Sequence, residues 1–164
     1  MNRRVLLYVG FFLAIYFIYL FGISRSVFGG DSGDIITAAW FGGIAHPPGY
    51  PLNTMIGYIF THLPITGTVA FRADIMAAFF QAANVLIVFL ILKKLTKNQV
   101  ISLCGSLVLA FNPLFWLYAH TLEVFQLKIF LVLVSQYFLL NWRDSKIRSY
   151  LYLSFLFIGL SVLH

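Results

Sequence analysis

The chain has 164 residues, of which 61% are hydrophobic and only 10% are charged, and its formal net charge at pH 7 is +6. Soluble domains carry about 25% charged residues, so this composition excludes an ordinary soluble domain and predicts helices that face lipid. The basic residues flank apolar segments and form no patch with aromatic residues, which argues against a nucleic-acid partner. The single cysteine, Cys104, excludes a disulfide framework within the chain.

Five apolar segments follow one another and predict an all-α, polytopic bundle of transmembrane helices. They cover residues 5–23, 73–92, 100–117, 125–142 and 150–164. We expect four full spans and a truncated fifth, because a crossing takes about 20 residues and the last segment has about 15. The first segment is too long for a secretory signal peptide, so we expect a retained anchor. We also expect residues 1–164 to be the N-terminal part of a longer multi-pass protein, inactive as a fragment.

The distribution of charge predicts the orientation of the chain. With a cytoplasmic N-terminus, eight of the eleven basic residues lie on the inner side, as the positive-inside rule requires. Four of the five carboxylates then lie on the outer side, an asymmetry that the rule does not require and that a functional site there would explain. Those four are Asp31, Asp34, Asp74 and Glu123. A bacterial plasma membrane and an endoplasmic reticulum membrane both fit this topology.

The connection between the first two spans, residues 24–71, is long, and long connections are often functional. Two apolar stretches, Ile35 to Ile44 and Leu52 to Leu63, predict short interfacial helices in this outer loop. Between them, the run from His46 to Pro51 cannot be helical, because adjacent prolines lack N–H donors and fix φ. Irregular backbone beside lipid is tolerated where it packs in protein or lines a wet cavity. We therefore expect a cavity at the outer face.

Asp31 and Asp34 lie in the run Gly29-Gly30-Asp31-Ser32-Gly33-Asp34 and have two interpretations. In the first they serve a helix N-terminus, where Asp31 accepts N–H bonds and Asp34 meets the positive end of the dipole. In the second Asp31 is a general base at the membrane–water boundary, and the glycines let a bulky substrate approach. The two roles are compatible if Asp34 caps and Asp31 catalyses.

Three further charged residues are also open to two interpretations. Glu123 opens the fourth span, either as an acid favoured at a helix N-terminus or as part of an outer-face site. Arg72 and Lys128 are either an interfacial anchor and a snorkelling side chain or ligands for a phosphate. Asp31, Asp34 and Glu123 give weak support for a divalent metal, and no other cofactor is indicated. The sequence has neither a His/Cys metal pattern nor a phosphate-binding glycine loop.

Several runs of residues resemble the GT-C membrane glycosyltransferases related to protein O-mannosyltransferases. The most specific are Asp31-Ser32-Gly33-Asp34 and the run from Gly43 to Pro51, which contains His-Pro-Pro-Gly-Tyr-Pro. The run from Leu122 to Leu127 is similar to a further block of the same branch. The chain departs from that branch at Asp34, where Glu is usual, and at Asp74 and Lys128, where Asn is usual.

The resemblance implies a multi-spanning transferase that moves a sugar from a polyprenyl- or dolichyl-phosphate carrier to a hydroxyl of a protein or glycan. Transfer takes place on the non-cytoplasmic side and inverts the anomeric carbon. By this resemblance Asp31 is the general base, while Asp34 and Glu123 orient the acceptor or donor. The residues that it assigns to substrate binding are His46, Tyr50, Arg72, Lys128 and His164, with His46, Arg72 and Lys128 as candidates for the lipid phosphate.

Two other functions stay open at this stage. A transporter or flippase of lipid-linked intermediates predicts ionisable residues at mid-membrane depth. Most charges lie at the ends of spans instead, which counts against it. A non-catalytic membrane scaffold has no need of Asp31 and Glu123, whose presence argues weakly against that function.

Overall fold

The structure, a computed structural model, describes residues 3–163, which form eight α-helices and no strand. The helices are α1 Arg3–Phe21, α2 Ser32–Phe41, α3 Pro51–Thr61, α4 Val69–Thr96, α5 Gln99–Ala110, α6 Pro113–Leu117, α7 Phe125–Ser145 and α8 Arg148–Val162. The prediction of an all-α chain is confirmed for these residues. Helices α1, α4 and α7 are long and apolar enough to cross a membrane, and the chain is a membrane protein.

Helix α4 is the centre of the bundle, and α1, α5 and α7 pack against it together with the short helices α2 and α3. Its packed surface is rich in alanine, and small side chains let neighbouring helices approach closely. Ala73 and Ala77 belong to a core with α2 and α7. Ala78 and Ala82 belong to a second core with α1 and the 110–119 region. The segments that flank α4 are thereby held at fixed positions around it.

The predicted third span, residues 100–117, is not one continuous helix in the structure. Helix α5 ends at Ala110 and α6 begins at Pro113, because proline donates no N–H and disfavours helical backbone at the residue before it. Asn112 is accordingly extended, with φ −62° and ψ 133°, and its side chain caps α6. The 12 residues of α5 extend about 18 Å, less than the hydrocarbon thickness of about 30 Å.

Helices α2 and α3 cover most of the two apolar stretches predicted in the connection of residues 24–71, and they pack closely against each other. A Cβ added to Gly57 of α3 would lie 2.8 Å from the Cβ of Ala39 on α2, so a larger side chain would push the helices apart. The segment between them is not helical, in line with its prolines. Pro51 is the first residue of α3, where the missing N–H has no helical partner to lose.

Candidate functional site

Three segments meet at one end of the bundle, two of them neighbours in sequence and the third much further along the chain. They are the start of α2, the turn between α2 and α3, and residues 118–124, which we call the 118–124 segment. The hydroxyl of Thr121 donates to that of Ser32 at 3.3 Å, and both side chains are buried. The backbone N–H of Ser24 donates to the carbonyl of His120 at 3.3 Å. These bonds join the connection of residues 24–71 to the connection that precedes α7.

His46 lies between the two aspartates at the start of α2. Its backbone N–H donates to Oδ2 of Asp34 at 2.8 Å, and its ring Nδ1 lies 2.8 Å from the same oxygen. A carboxylate only accepts, so the ring nitrogen is the donor. These bonds hold the pKa of the Asp34 carboxyl below its ordinary value, with the backbone bond as the largest cause. The other ring nitrogen, Nε2, lies 3.6 Å from Oδ2 of Asp31.

Asp31 is the accessible carboxylate of the site, with a side chain that is 67% exposed. It occupies the N-cap position of α2, but its side chain accepts no capping hydrogen bond. The predicted capping by the Asp31 side chain is therefore wrong, because the carboxylate turns towards His46. Asp34 does lie in the first turn of α2, as expected for an acid at a helix N-terminus.

Glu123 brings a second, buried carboxylate to the same place. The residue is 9% exposed, and within residues 3–163 its carboxylate has neither a hydrogen bond nor an ion pair. Burial raises the pKa of the Glu123 carboxyl, the charge of Asp31 raises it further, and His46 lowers it. Its Oε1 lies 3.5 Å from the position that a Cβ on Gly30 would take, and Gly30 has a φ of 78°, where glycine is favoured.

The 118–124 segment has no helix of its own, and buried side chains bind its backbone. Gln126 donates through Nε2 to the carbonyls of Tyr118 at 2.6 Å and Thr121 at 2.9 Å. Its Oε1 accepts from the N–H of Glu123 at 3.2 Å. One amide side chain thus satisfies three backbone groups, each of which would be costly to bury unpaired.

Helix α4 supplies the second half of this support. Asp74, predicted among the outer-face carboxylates, is 1% exposed, and its Oδ1 accepts from the N–H of Leu122 at 2.7 Å. Asn84 donates to the carbonyl of Gln126 at 3.1 Å and to Oε1 of Gln81 at 3.2 Å. Gln81 in turn donates to the carbonyl of Phe115 at 2.9 Å. Gln81, Asn84 and Gln126 were not among the predicted site residues, although a polar residue inside an apolar span is itself a signal of a role.

The five residues assigned to substrate binding have different positions. The ring of Tyr50 lies edge-on to that of His46, with centroids 5.4 Å apart. The guanidinium of Arg72 lies 5.5 Å from the ring centroid of Trp40 and makes no ion pair within residues 3–163. Lys128 is exposed on α7 and makes no ion pair in this part of the chain either. His164 lies outside the described residues, and all five roles stay predictions.

The positions of the acidic side chains also bear on the metal site for which the sequence provides weak support. Across residues 3–163, no group of three or more His, Cys, Asp or Glu side chains is arranged to hold a metal ion. Asp31 and Asp34 face His46 from two sides instead of converging on one point with Glu123.

Comparison with known proteins identifies similar sequences. The family described as the protein O-mannosyl-transferase TMEM260 N-terminal domain matches residues 31–164. Protein O-mannosyl-transferase tmem260 of Dictyostelium discoideum is 35% identical over 118 residues, which is 71% of this chain and 14% of that protein. Protein O-mannosyl-transferase TMEM260 of Mus musculus is 34% identical over 119 residues, which is 73% of this chain and 17% of that protein. The chain thus spans less than a fifth of the length of these curated relatives. No solved structure matches it.

The lowered pKa of Asp34 predicts a pH-dependent contribution to stability. A carboxyl whose pKa is lowered by folding stabilises the protein above its ordinary value of 3.8, and this contribution is lost as the pH falls through the folded-state pKa. We expect Asp34→Asn to lower the thermal unfolding temperature of the whole protein at about pH 7 and this deficit to shrink towards about pH 3. Thermal unfolding in detergent measures it, and a deficit that is the same at every pH would contradict the prediction.

Gln126 gives a second prediction, on stability. Gln126→Leu leaves three buried backbone groups without their partner, so we expect the free energy of unfolding to fall by about 2–4 kcal/mol. Gln99→Leu is the matched control because Gln99 is exposed at the start of α5, and we expect it to change stability by less than about 0.5 kcal/mol. Denaturant unfolding of both variants measures the difference, and equal losses would show that the segment does not depend on Gln126.

Proposed function

The chain belongs to the protein O-mannosyl-transferase TMEM260 N-terminal domain family, and we propose that it contributes an active site to a membrane glycosyltransferase acting on protein hydroxyl groups. The names of the two relatives, both protein O-mannosyl-transferases, favour mannose as the sugar. The observation that carries the proposal is an exposed carboxylate, Asp31, held beside His46 and the buried Glu123. Activity is proposed for the whole protein, of which this chain corresponds to a small part of the relatives' length.

The proposed reaction is a single displacement at the anomeric carbon of a polyprenyl- or dolichyl-phosphate-linked sugar. The acceptor hydroxyl oxygen bonds to that carbon while the bond from the carbon to the phosphate oxygen breaks. The hydroxyl proton passes to Asp31 and the electron pair leaves with the lipid phosphate, so the anomeric carbon is inverted. Asp31 suits the role of general base because its side chain is accessible. Within residues 3–163, only His46 lies within ion-pairing distance of its carboxylate.

Asp34, His46 and Glu123 support this step in different ways. Asp34 binds both the backbone and the ring of His46, and this fixes the ring with Nε2 towards Asp31. Glu123 keeps unused acceptor capacity in a buried position, where a hydrogen bond to a substrate hydroxyl is stronger than in water. We assign Glu123 the orientation of the acceptor or donor.

We further propose a GT-C-like arrangement in which the chain crosses the membrane four times before α8, with a cytoplasmic N-terminus. The support is the hydrogen bond from the N–H of Leu122 to Asp74. Helix α4 ends at Thr96, yet Leu122, further along the chain, contacts Asp74 near the start of α4. The 22 positions from Asp74 to Thr96 correspond to about 33 Å of helix, comparable to the hydrocarbon core. Helices α5 and α6 with their joint cover the same distance in the opposite direction. The broken third segment therefore counts as one crossing.

A transporter or flippase is less well supported than a transferase. Its signature is a set of polar groups inside the membrane that line a path. The buried amides of α4, Gln81 and Asn84, donate instead to backbone carbonyls and to each other. These amides hold the backbone before α7 in place, whereas lining a transport path would require them to face the substrate. A non-catalytic scaffold is distinguished by the experiment below.

Substitution of Asp31 tests the proposed base. We expect Asp31→Asn to lower the transfer rate from a polyprenyl-phosphate sugar about 10²–10⁴-fold, the usual contribution of proton transfer. Asp144→Asn is the control because it removes the same charge where Asp144 pairs with Lys94, away from the site, and it should retain wild-type transfer. The measurement is incorporation of radiolabelled sugar into acceptor peptide by the whole protein.

Glu123→Gln is the second arm of that experiment. Because burial raises the pKa of Glu123, its charge is unfavourable for folding, and the amide should keep or raise the unfolding temperature at neutral pH. We therefore expect lower transfer without lower stability. Full transfer by Asp31→Asn would show that Asp31 is not the base. Absence of transfer in the wild-type protein would favour a non-catalytic scaffold.

The orientation has its own test. An epitope inserted after Lys97, beyond the end of α4, should bind antibody from the cytoplasmic side of sealed vesicles. One inserted after Thr66, in the exposed connection before α4, should bind only after the membrane is permeabilised. The reverse pattern would overturn the proposed orientation, and equal access to both epitopes would overturn the crossing by α4.

A further inference from the structure

A cavity of about 640 Å³ lies at the opposite end of the bundle from Asp31. Its rim is formed by Arg4 at the start of α1, Lys93 near the end of α4 and Gln99 at the start of α5. The catalytic proposal uses none of these residues. A volume of this size falls in the range of about 300–1,000 Å³ found for small-molecule sites in proteins.

The charge of Lys93 is not neutralised within residues 3–163. Its Nζ donates to the hydroxyl of Tyr8 at 3.1 Å and lies 5.2 Å from the Tyr8 ring centroid and 5.8 Å from that of Phe89. The adjacent Lys94 is different, because its Nζ pairs with Oδ2 of Asp144 at 2.9 Å. No carboxylate lines the cavity in the described part of the chain. The described lining of the cavity thus includes two cations, Arg4 and Lys93, and no carboxylate.

The wall of the cavity below this rim is apolar. Leu7 and Phe11 of α1 face it, together with Phe89 of α4 and Leu103 of α5. These residues lie about one to two helical turns from the rim residues, in the direction of the bundle centre. The cavity thus combines a cationic opening at the helix ends with hydrophobic walls towards mid-membrane.

We propose that this cavity binds an anionic phospholipid, with its headgroup at Arg4 and Lys93 and the first part of an acyl chain against Leu7 and Phe89. Basic pockets between transmembrane helices recognise anionic headgroups, which are concentrated in the cytoplasmic leaflet. Gln99 and the hydroxyl of Tyr8 add hydrogen-bonding groups at the headgroup level. The acyl chain fills the apolar part of the cavity, which side chains leave empty. The proposal is independent of the transfer reaction.

Native mass spectrometry of the whole protein in detergent tests the proposal. Phosphatidylglycerol and phosphatidylcholine with identical acyl chains are the probes, since they share a phosphate and differ in net charge. We expect retained phosphatidylglycerol, and we expect Lys93→Gln to weaken its binding about fivefold, the contribution of one cation beside an anionic lipid. Lys97→Gln is the matched control, because Lys97 is exposed at the same end of α4 and does not line the cavity.

Two further variants keep the test decisive if Lys93→Gln does not fold. Lys93→Arg retains the charge and should retain phosphatidylglycerol. Leu103→Trp fills the apolar wall with both cations intact and should release it. Equal binding of the two lipids, equal behaviour of Lys93→Gln and Lys97→Gln, or unchanged binding by Leu103→Trp would overturn the proposal.

Discussion

The arrangement of this end of the bundle depends on one constraint, which is that buried backbone groups need hydrogen-bond partners. The carbonyl of Phe115, near the end of α6, and the backbone of the 118–124 segment lack a continuous helix that would supply all their partners. Gln126, Asp74 and Gln81 supply the partners from α7 and α4. The position of Glu123 follows from that network, because Gln126 binds its N–H directly. A polar interior inside an apolar protein is therefore what places the candidate site.

The three carboxylates of the site differ because their surroundings differ. Asp34 is engaged by two donors of His46, which lowers its pKa and commits it to holding the turn. Asp31 is exposed and faces the remaining ring nitrogen of His46. Glu123 is buried without a partner within residues 3–163, and both burial and the charge of Asp31 raise its pKa. Environments that separate acids in this way are typical of sites in which one group takes a proton and another binds substrate.

The two ends of the bundle carry opposite chemistry. The end with Asp31 and Glu123 carries carboxylates beside irregular backbone, whereas the opposite end has the cations Arg4 and Lys93 at the mouth of an apolar cavity. Helix α4 joins them, since Asp74 near its start binds the 118–124 segment and Lys93 near its end borders the cavity. The proposed lipid site at one end and the candidate site at the other thus both involve the same helix, which packs against most of the others.

The helical, membrane-embedded character of the chain and the irregular turn from His46 to Tyr50 could be predicted from the sequence, which also gave Asp31 as a candidate base. These follow from local rules: apolar run length, the missing N–H of proline and residue types in short motifs. The prediction of one continuous third span failed at Pro113, because the same proline rule breaks a segment that hydropathy alone makes continuous. The packing of the helices, in contrast, brings His46 between both aspartates and Glu123, some 90 positions from Asp31, beside Gly30. Such contacts between distant residues depend on how helices pack and on which buried backbone groups find partners. No single stretch of sequence encodes either.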